Sequence, residues 1–320
     1  YAGDIGLAIV RDGWQPDDAA AMLKCAPYGG HRLNAFRRAH DFGYINVAHD
    51  DPDVNQFQIY ARGAMVACDD GYADRKVTAA HNTILVNGKG QKGEGQHWTQ
   101  PLRGRDQDMT KLAAMSAWKD AGDTVVAEGE GAGAYPDLSR YRRTLVWAKG
   151  RYVLLLDDIR GPRENDITWL VQGTTAEATN AAEGRFRLGS AERGVEFQIV
   201  GDCPLTGTVG DSPADDRGKP LGLRQVRVST RGRQARLATV FDVWGRGGVR
   251  VDLRPGDGGT AVVSVRGAAG DEVWQWQAAP EAADPAPSNL SLRRADGTTF
   301  TLGPGDQAAI PGRTAAKAPP

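Results

Sequence analysis

The chain has 320 residues, of which 40% are hydrophobic and 25% charged, and its formal net charge is −1. A near-neutral chain lacks the basic surface that nucleic-acid binding usually requires, so we expect no nucleic-acid partner. No run approaches the roughly 18 consecutive apolar residues that cross a bilayer, so we predict no membrane span. The 41 glycines and 17 prolines favour many short strands joined by turns over a bundle of helices.

Helical signals are confined to the beginning of the chain. Residues 15–24 (QPDDAAAMLK) have acidic side chains early and a lysine late, which favours a short helix or turn. Residues 25–48 contain a Gly-Gly pair and a basic cluster, and we interpret them as a loop with room for one helical turn. The chain is therefore predicted to begin with a short loop or helical lead-in.

From residue 56 onward the pattern alternates between polar and apolar residues, which is typical of strands. Two hairpins are predicted, at residues 56–68 around Arg62-Gly63 and at residues 145–156 around Lys149-Gly150. Further strands are predicted at residues 83–86, 195–200, 226–229, 237–244, 261–265 and 273–277. Spacing of about ten residues with glycine and aspartate at the turns predicts a mostly β fold, a large antiparallel β-sandwich with little helix.

We assign residues 1–277 to this sandwich. Residues 278–320 begin with an Ala/Pro-rich stretch that we interpret as a linker. A final hairpin fits residues 290–302, and a frayed tail fits residues 315–320.

The residues that could carry chemistry gather between positions 49 and 97. All five histidines lie in the first third of the chain, at positions 31, 40, 49, 81 and 97. If residues 49–55 are extended, as Pro52 favours, then four polar side chains project to one face: His49, Asp51, Asp53 and Asn55. Asp69 ends a predicted hairpin strand, and His81 directly precedes another strand.

Two interpretations of this cluster remain open. Carboxylates and an imidazole from three adjacent strand ends suit zinc, which binds His nitrogen and Asp oxygen in tetrahedral geometry. Asp-Pro-Asp and Asp-Asp-Gly are also common in turns, where the carboxylates only bind nearby backbone. Spacing alone does not decide between a metal site and ordinary turn chemistry.

Three ordered motifs then suggest a family. The run HDDPDVNQFQIYARGAMVACDDGY, followed by HNTILVNGKGQKGEGQHW, resembles the C-terminal domain of the heparinase II/III-like polysaccharide lyases. The stretch YRRTLVWAKGRYVLLLDDIRG resembles a β-sheet segment of the same proteins, so that the likeness covers residues 1–175. It implies a lyase that cleaves an acidic polysaccharide or oligosaccharide by β-elimination at a uronic acid, in the periplasm or secreted.

In such lyases an α/α-toroid domain precedes the sandwich and supplies the base and acid. This chain has no helical repeat that could build a toroid, so the resemblance implies that one comes from the same gene or from a partner chain. Carried over by position, His49 is a catalytic, substrate-facing residue. Asp51, Asp69 and His81 match a metal site, with Asp51 in place of a histidine. The implied cofactor is a divalent metal, zinc first and calcium or manganese as alternatives.

Other functions were weighed against the lyase. Arg62, His97 and Trp98 are predicted to bind substrate, and they could equally serve a non-catalytic carbohydrate-binding sandwich. A metal-dependent barrel such as a cupin-like oxygenase is disfavoured because its closely spaced histidine pair is missing. An upstream toroid would favour the lyase, and its absence would favour the binding module.

Overall fold

The computed structural model describes residues 1–42, 50–71, 76–95, 108–213, 221–277, 286–294 and 296–309. Within these ranges the chain forms one α-helix, α1 (His31–Ala39), and 19 β-strands in three antiparallel sheets. The predicted mostly β, antiparallel fold with little helix is therefore confirmed. None of the helices in the described ranges is long and apolar enough to cross a membrane.

The N-terminal sheet has four strands in the order β1-β2-β3-β4. Its strands are β1 (Leu7–Arg11), β2 (Ala20–Lys24), β3 (Gln56–Ala61) and β4 (Ala64–Ala67). Of the short helix or turn predicted at residues 15–24, a turn is present at residues 15–18, where the Asp18 N–H donates to the Gln15 carbonyl at 3.0 Å. A helix at residues 20–24 is wrong, because β2 pairs with both β1 and β3. Ala21 and Leu23 are buried at alternate positions, and this burial between two strands outweighs the helix propensity of the alanines. In the loop that follows, α1 is longer than the expected single turn.

The central sheet has ten strands. These are β5 (Ile84–Val86), β6 (Ala114–Asp120), β7 (Thr124–Glu130), β8 (Arg140–Ala148), β9 (Tyr152–Gly173), β10 (Ala176–Asn180), β11 (Arg185–Leu188), β12 (Val195–Gly201), β13 (Thr206–Asp211) and β14 (Arg224–Phe241). The strands predicted at residues 226–229 and 237–244 are one strand, β14, which pairs with β9 from Arg224 to Phe241. A polar, partly exposed middle had hidden this continuity in the sequence.

The C-terminal sheet has five strands in sequence order. They are β15 (Arg250–Pro255), β16 (Ala261–Arg266), β17 (Glu272–Gln277), β18 (Asn289–Arg293) and β19 (Thr299–Leu302). The hairpin that fits residues 290–302 is present as β18 and β19, and β18 pairs with β17. The residues between β17 and β18 fall partly outside the described ranges.

Two hydrophobic cores lie on opposite faces of the central sheet. All nine residues of β8 are buried, because both faces of this strand are covered. Leu145 and Trp147 point into a core shared with the N-terminal sheet. Val146 and Ala148 point into a second core shared with the C-terminal sheet. The molecule is therefore a three-layer stack of sheets, and three of the predicted site residues, Asp51, Asp69 and His81, lie where the first two layers meet.

Candidate functional site

Eight ionisable side chains meet at one end of the strands of the N-terminal sheet, and we call them the charged cluster. Its members come from β2, from the segment before β3, from the segment after β4, and from the residues around a 3-10 turn at Thr78–Ala80. The cluster consists of Lys24, Asp50, Asp51, Asp53, Asp69, Asp70, Lys76 and His81. Five carboxylates thus face two lysines and one histidine.

The segment between residues 50 and 55 is turned. The Asp53 N–H donates to the Asp51 carbonyl at 2.8 Å, and Asn55 has a φ of 59°. The expectation that an extended backbone aligns these side chains on one face is therefore wrong for residues 51–55. Each side chain finds a different partner instead, because Asn55 donates to the backbone carbonyl of Tyr141 at 2.8 Å while the two aspartates bind separate lysines.

Lys24 anchors the start of this segment. Its ammonium lies 2.5 Å from Asp50 and 3.0 Å from Asp53. Burial alone would lower the pKa of Lys24, but these two carboxylates raise the pKa above its ordinary value. The Asp50 carboxylate also accepts the Gly29 N–H at 2.7 Å. Burial would raise the pKa of Asp50, yet Lys24 and the backbone donors hold it below its ordinary value.

Lys76 holds the neighbouring residues. It donates to the backbone carbonyl of Asp50 at 2.9 Å and lies 3.5 Å from the Asp51 carboxylate. Burial raises the pKa of Asp51, and the nearby charges of His81 and Lys76 only partly offset that effect. The main chain directly after residue 49 is therefore fixed by contacts from two lysines.

His81 lies at the centre of the carboxylates and is 1% exposed. Its Nδ1 is 3.7 Å from Asp69 Oδ2 and 4.0 Å from Asp70 Oδ1. Burial alone would lower the pKa of His81, but Asp69 and the other carboxylates raise it above its ordinary value. Burial raises the pKa of Asp70 to about 6. The imidazole is thus surrounded by acidic groups of unequal acidity.

Asp69 accepts hydrogen bonds at both of its carboxylate oxygens. Its Oδ2 accepts from Gln56 at 2.7 Å and from Gln58 at 2.8 Å, and its Oδ1 accepts the Gly71 N–H at 3.1 Å. Burial would raise the pKa of Asp69, but His81 and these donors hold it below its ordinary value. Asp69 therefore stays ionised beside a more easily protonated Asp70.

A buried frame carries the cluster. Asn82, next to His81, donates to the carbonyls of Phe57 and Cys68, each at 2.9 Å, and accepts the Gln172 N–H at 2.9 Å. These contacts join β3, the end of β4 and β9 at one residue. These hydrogen bonds also fix the position of His81, because its backbone is joined directly to that of Asn82.

A buried ion pair contacts the segments that precede β3 and β5. Arg143 binds Asp157 through two nitrogens, at 2.7 and 3.1 Å. Its remaining nitrogen donates to the carbonyls of Asn55 and Asn82, at 2.7 and 2.9 Å. The segment before β3 and the segment before β5 are thus tied to one guanidinium.

The donor types of the cluster fit a divalent cation. His81 Nδ1 and Asp70 Oδ1 are buried and have no hydrogen-bond partner within the described residues. The distance from His81 Nδ1 is 4.0 Å to Asp70 Oδ1 and 3.7 Å to Asp69 Oδ2, and both distances are too long for a hydrogen bond. They approach the distance between two ligand atoms on one zinc ion, about 3.4 Å. As placed, no three His, Cys, Asp or Glu side chains of the described ranges form a metal-binding group, so the ligands would have to move closer to share an ion.

The predicted site residues fall into three groups. Asp69 and His81 lie together, and Asp51 is near enough to affect the pKa of His81. Arg62 lies at the far end of β3, roughly 20 Å from Gln56, and donates to the carbonyls of a loop at residues 192–194. Its predicted role in substrate binding stays a prediction. The other predicted residues, His49, His97 and Trp98, lie outside the described residues.

Sequence reasoning missed several residues of the cluster and its frame. Lys24 ends the stretch predicted as a short helix or turn, and Lys76 belongs to no motif in the sequence. The buried pair of Arg143 and Asp157 had a visible signal, because charged residues inside apolar strands (YRRTLVW and VLLLDDI) are almost never buried unless paired. Asp70 lies in the Asp-Asp-Gly turn sequence, and its burial could not be inferred from that sequence.

Comparisons with known proteins give the chain's relatives. The profile of a family described as Heparinase II/III-like, C-terminal, matches residues 1–277. No curated protein sequence matches the chain. The heparan sulfate lyase HepC from Pedobacter heparinus is similar in structure, with a TM-score of 0.62 and 13% identity over 85% of this chain and 41% of that one. A crystal structure of heparinase III has a TM-score of 0.58 and 14% identity over 94% of this chain and 41% of that one.

At such low identity, the similar structures establish the fold alone, and the chain spans 41% of the length of each. The family profile covers the N-terminal sheet, the central sheet and the first three strands of the C-terminal sheet. This chain therefore belongs to the Heparinase II/III-like C-terminal family.

Proposed function

We propose that this chain is the β-sandwich part of a polysaccharide lyase that cleaves uronic-acid-containing glycans by β-elimination. The observation that carries the proposal is the family match over residues 1–277. Further support comes from the charged cluster, which immediately follows the segment that holds His49. The proposal includes an acidic glycan as the substrate and an α/α-toroid domain, from the same gene or a partner chain, as the other part of the enzyme.

The reaction needs three groups. A base removes the proton from C5 of the uronic acid, the electron pair of that bond forms the C4–C5 double bond, and the C4–O bond breaks. An acid then protonates the leaving oxygen. Negative charge grows on the C6 carboxylate and must be met by preplaced donors. We assign His49 to that carboxylate and place the base and acid in the toroid domain.

The charged cluster would hold His49 in position. Asp50 is the next residue, and its carboxylate and carbonyl are bound by Lys24, the Gly29 N–H and Lys76. A catalytic side chain must keep its geometry to within a fraction of an ångström, which requires a fixed backbone. The lysines provide that anchorage on the C-terminal side of His49.

The lyase is tested by incubating the full-length protein with alginate, heparin, chondroitin and ulvan and following the ultraviolet absorbance of the new C4–C5 double bond. We expect absorbance to rise with at least one glycan and His49→Ala to lower the rate at least a hundredfold, as loss of one charge-stabilising donor does. His40→Ala, on the exposed end of α1, is the matched control. No absorbance with any glycan would reject the lyase, and glycan binding without absorbance would favour a binding module.

A divalent metal, zinc first, is proposed for Asp51, Asp69 and His81. Such an ion would bind together the segments before β3, after β4 and before β5, and would satisfy the buried Nδ1 of His81. Elemental analysis tests this directly. We expect near-stoichiometric metal in the wild type and in the exposed control Asp211→Ala, and much less in Asp69→Ala. Metal-free wild type, or equal metal in Asp69→Ala, would reject these ligands.

A periplasmic or secreted location is proposed because a polysaccharide is too large to reach an enzyme inside the cytoplasm. Cell fractionation of the producing organism with an antibody against this chain tests it. Recovery of the protein only in the cytoplasmic fraction would contradict the assignment.

A further inference from the structure

Gln91 is a buried amide in an irregular part of the chain. It belongs to the glycine-rich run GKGQKGEG, which follows β5 and lies outside the strands. Its side chain is 2% exposed. A buried amide must find hydrogen-bond partners for both of its polar atoms, because an unsatisfied one is costly. The partners of Gln91 therefore show what this residue holds in place.

The Gln91 side chain pairs with Val54 as a neighbouring strand would. Its Oε1 accepts the Val54 N–H at 2.9 Å, and its Nε2 donates to the Val54 carbonyl at 2.9 Å. Its Nε2 also donates to the Tyr135 hydroxyl at 2.9 Å. Val54 is 1% exposed and directly precedes Asn55, whose left-handed backbone leads into β3. Gln91 thus binds both backbone groups of the residue that ends the turned segment 50–54.

The loop that carries Gln91 is fixed to the residues before β5. Three hydrogen bonds join the two: the Gln91 N–H to Thr78 Oγ1 at 2.8 Å, the Thr78 N–H to Glu94 Oε1 at 2.9 Å, and the Gly95 N–H to the Lys76 carbonyl at 2.8 Å. Residues 76–78 and 90–95 therefore form one unit, which we call the brace.

The brace contacts both ends of the segment that follows His49. Lys76 donates to the Asp50 carbonyl at 2.9 Å, at the start of that segment. Gln91 binds Val54 at its end. Because one unit binds both ends, the path of residues 50–54 depends on the brace as well as on Lys24.

We propose that Gln91 is a positioning residue for the reaction, because through Val54 it fixes the segment that follows His49. The inference rests on the proposed function for the reaction and for the role of His49, whereas the contacts with residues 50–54 stand without it. Rates fall steeply when a catalytic group shifts by about an ångström. Loss of Gln91 should therefore lower turnover more than it weakens substrate binding.

The first test compares Gln91→Ala with the wild type in the full-length protein. The variant leaves the buried Val54 N–H without its acceptor, while the Val54 carbonyl keeps the Thr83 hydroxyl at 2.8 Å. We expect kcat to fall roughly tenfold to a hundredfold, with KM changed less than about twofold. Leu154→Ala, in the core on the other face of the central sheet, is the control that loses stability but should keep the wild-type kcat.

Gln91→Glu adds a pH-dependent rescue. The protonated glutamate offers one donor and one acceptor, and it can replace the amide at Val54. The ionised form offers no donor, and burial raises its pKa. Tyr28 and Tyr135 are the titratable side chains that hydrogen-bond to Gln91, and burial raises the pKa of both, so they stay protonated. The kcat of Gln91→Glu relative to the wild type should therefore rise as the pH falls, whereas that of Gln91→Ala should not.

Hydrogen–deuterium exchange of residues 50–55 tests the contact without the reaction. We expect these amides to exchange about tenfold faster in Gln91→Ala than in the wild type, as loss of a buried hydrogen bond implies. In Leu154→Ala they should exchange near the wild-type rate. If Gln91→Ala does not fold by circular dichroism, Gln91→Glu decides, compared between low pH and neutral pH.

Unchanged exchange in Gln91→Ala would overturn the proposal. A wild-type kcat in this variant, a change in KM alone, or a Gln91→Glu ratio that does not vary with pH would overturn it as well. Faster exchange in a protein that cleaves no glycan would reject only the proposed function and leave the contact of Gln91 with residues 50–54 established.

Discussion

At the scale of single residues, the candidate site depends on carboxylates that are buried to different degrees around one histidine. Asp69 has three hydrogen-bond donors and a lowered pKa, whereas the Oδ1 of Asp70 has none within the described residues. The same cluster therefore holds one firmly ionised carboxylate and one that is costly to ionise. A bound cation would remove that cost, because it favours the ionised form.

Asp70→Asn tests this difference. Because burial raises the pKa of Asp70 to about 6, the folded protein binds this proton more tightly than the unfolded chain does. Wild-type stability is then lost as the pH rises from about 4, the value in unfolded chains, to about 6. In the presence of a chelator, we expect the melting temperature of Asp70→Asn minus that of the wild type to increase between about pH 4 and pH 6. Above about pH 6 this difference should stay constant. A difference that does not change with pH would contradict this.

Arg143 gives a second prediction at this scale. Arg143→Leu leaves Asp157 buried without its cation and removes one donor from each of the Asn55 and Asn82 carbonyls, which should cost about 3–5 kcal/mol. Removing both charges, in Arg143→Leu with Asp157→Leu, should cost less than the sum of the two single variants. Urea denaturation measures all three. Strict additivity would mean that the two residues do not act as a pair.

At the scale of elements, one polar residue joins strands that the chain order keeps apart. The Asn82 side chain satisfies backbone groups of β3, of the residue after β4 and of β9. Phe57 and Gln172 are fully buried, and Cys68 pairs with Gln172 only through an isolated β-bridge. The position of His81 relative to Asp69 is thus decided by hydrogen bonds to the neighbouring residue.

Asn82→Ala should therefore destabilise the protein by on the order of 1–3 kcal/mol for each orphaned group. Asn82→Asp keeps the acceptor for Gln172 but turns a buried carboxylate oxygen toward the carbonyls of Phe57 and Cys68, so it should destabilise the protein at least as much as Asn82→Ala. Asn289→Ala, on the exposed face of β18, is the matched control. Urea unfolding that places Asn82→Ala level with this control would contradict the assigned role.

At the scale of the whole molecule, the central sheet carries two cores that belong to different layers. Leu154 and Leu155 are adjacent on β9 and fully buried. Leu155 belongs to the core with the N-terminal sheet, and Leu154 to the core with the C-terminal sheet. Strand alternation thus couples the two outer sheets through one strand.

Leu154→Ala and Leu155→Ala form a matched pair of tests. Each should cost about 2–5 kcal/mol, because each leaves a cavity in a packed core. Since β9 serves both cores, we expect one unfolding transition that moves to lower temperature in both variants, measured by calorimetry. A second transition in Leu154→Ala would show that the C-terminal layer unfolds separately.

The sequence alone determined the features that depend on local pattern. Period-two alternation and turn residues predicted the sheets, and the motifs around Asp69 and His81 predicted that these two residues lie near each other. The tertiary structure decided what depends on distant partners. Lys24 and Asp50 are 26 positions apart, and Arg143 and Asn55 are 88 apart. Such pairs are set by strand register and by burial between layers, and a local sequence pattern encodes neither of these.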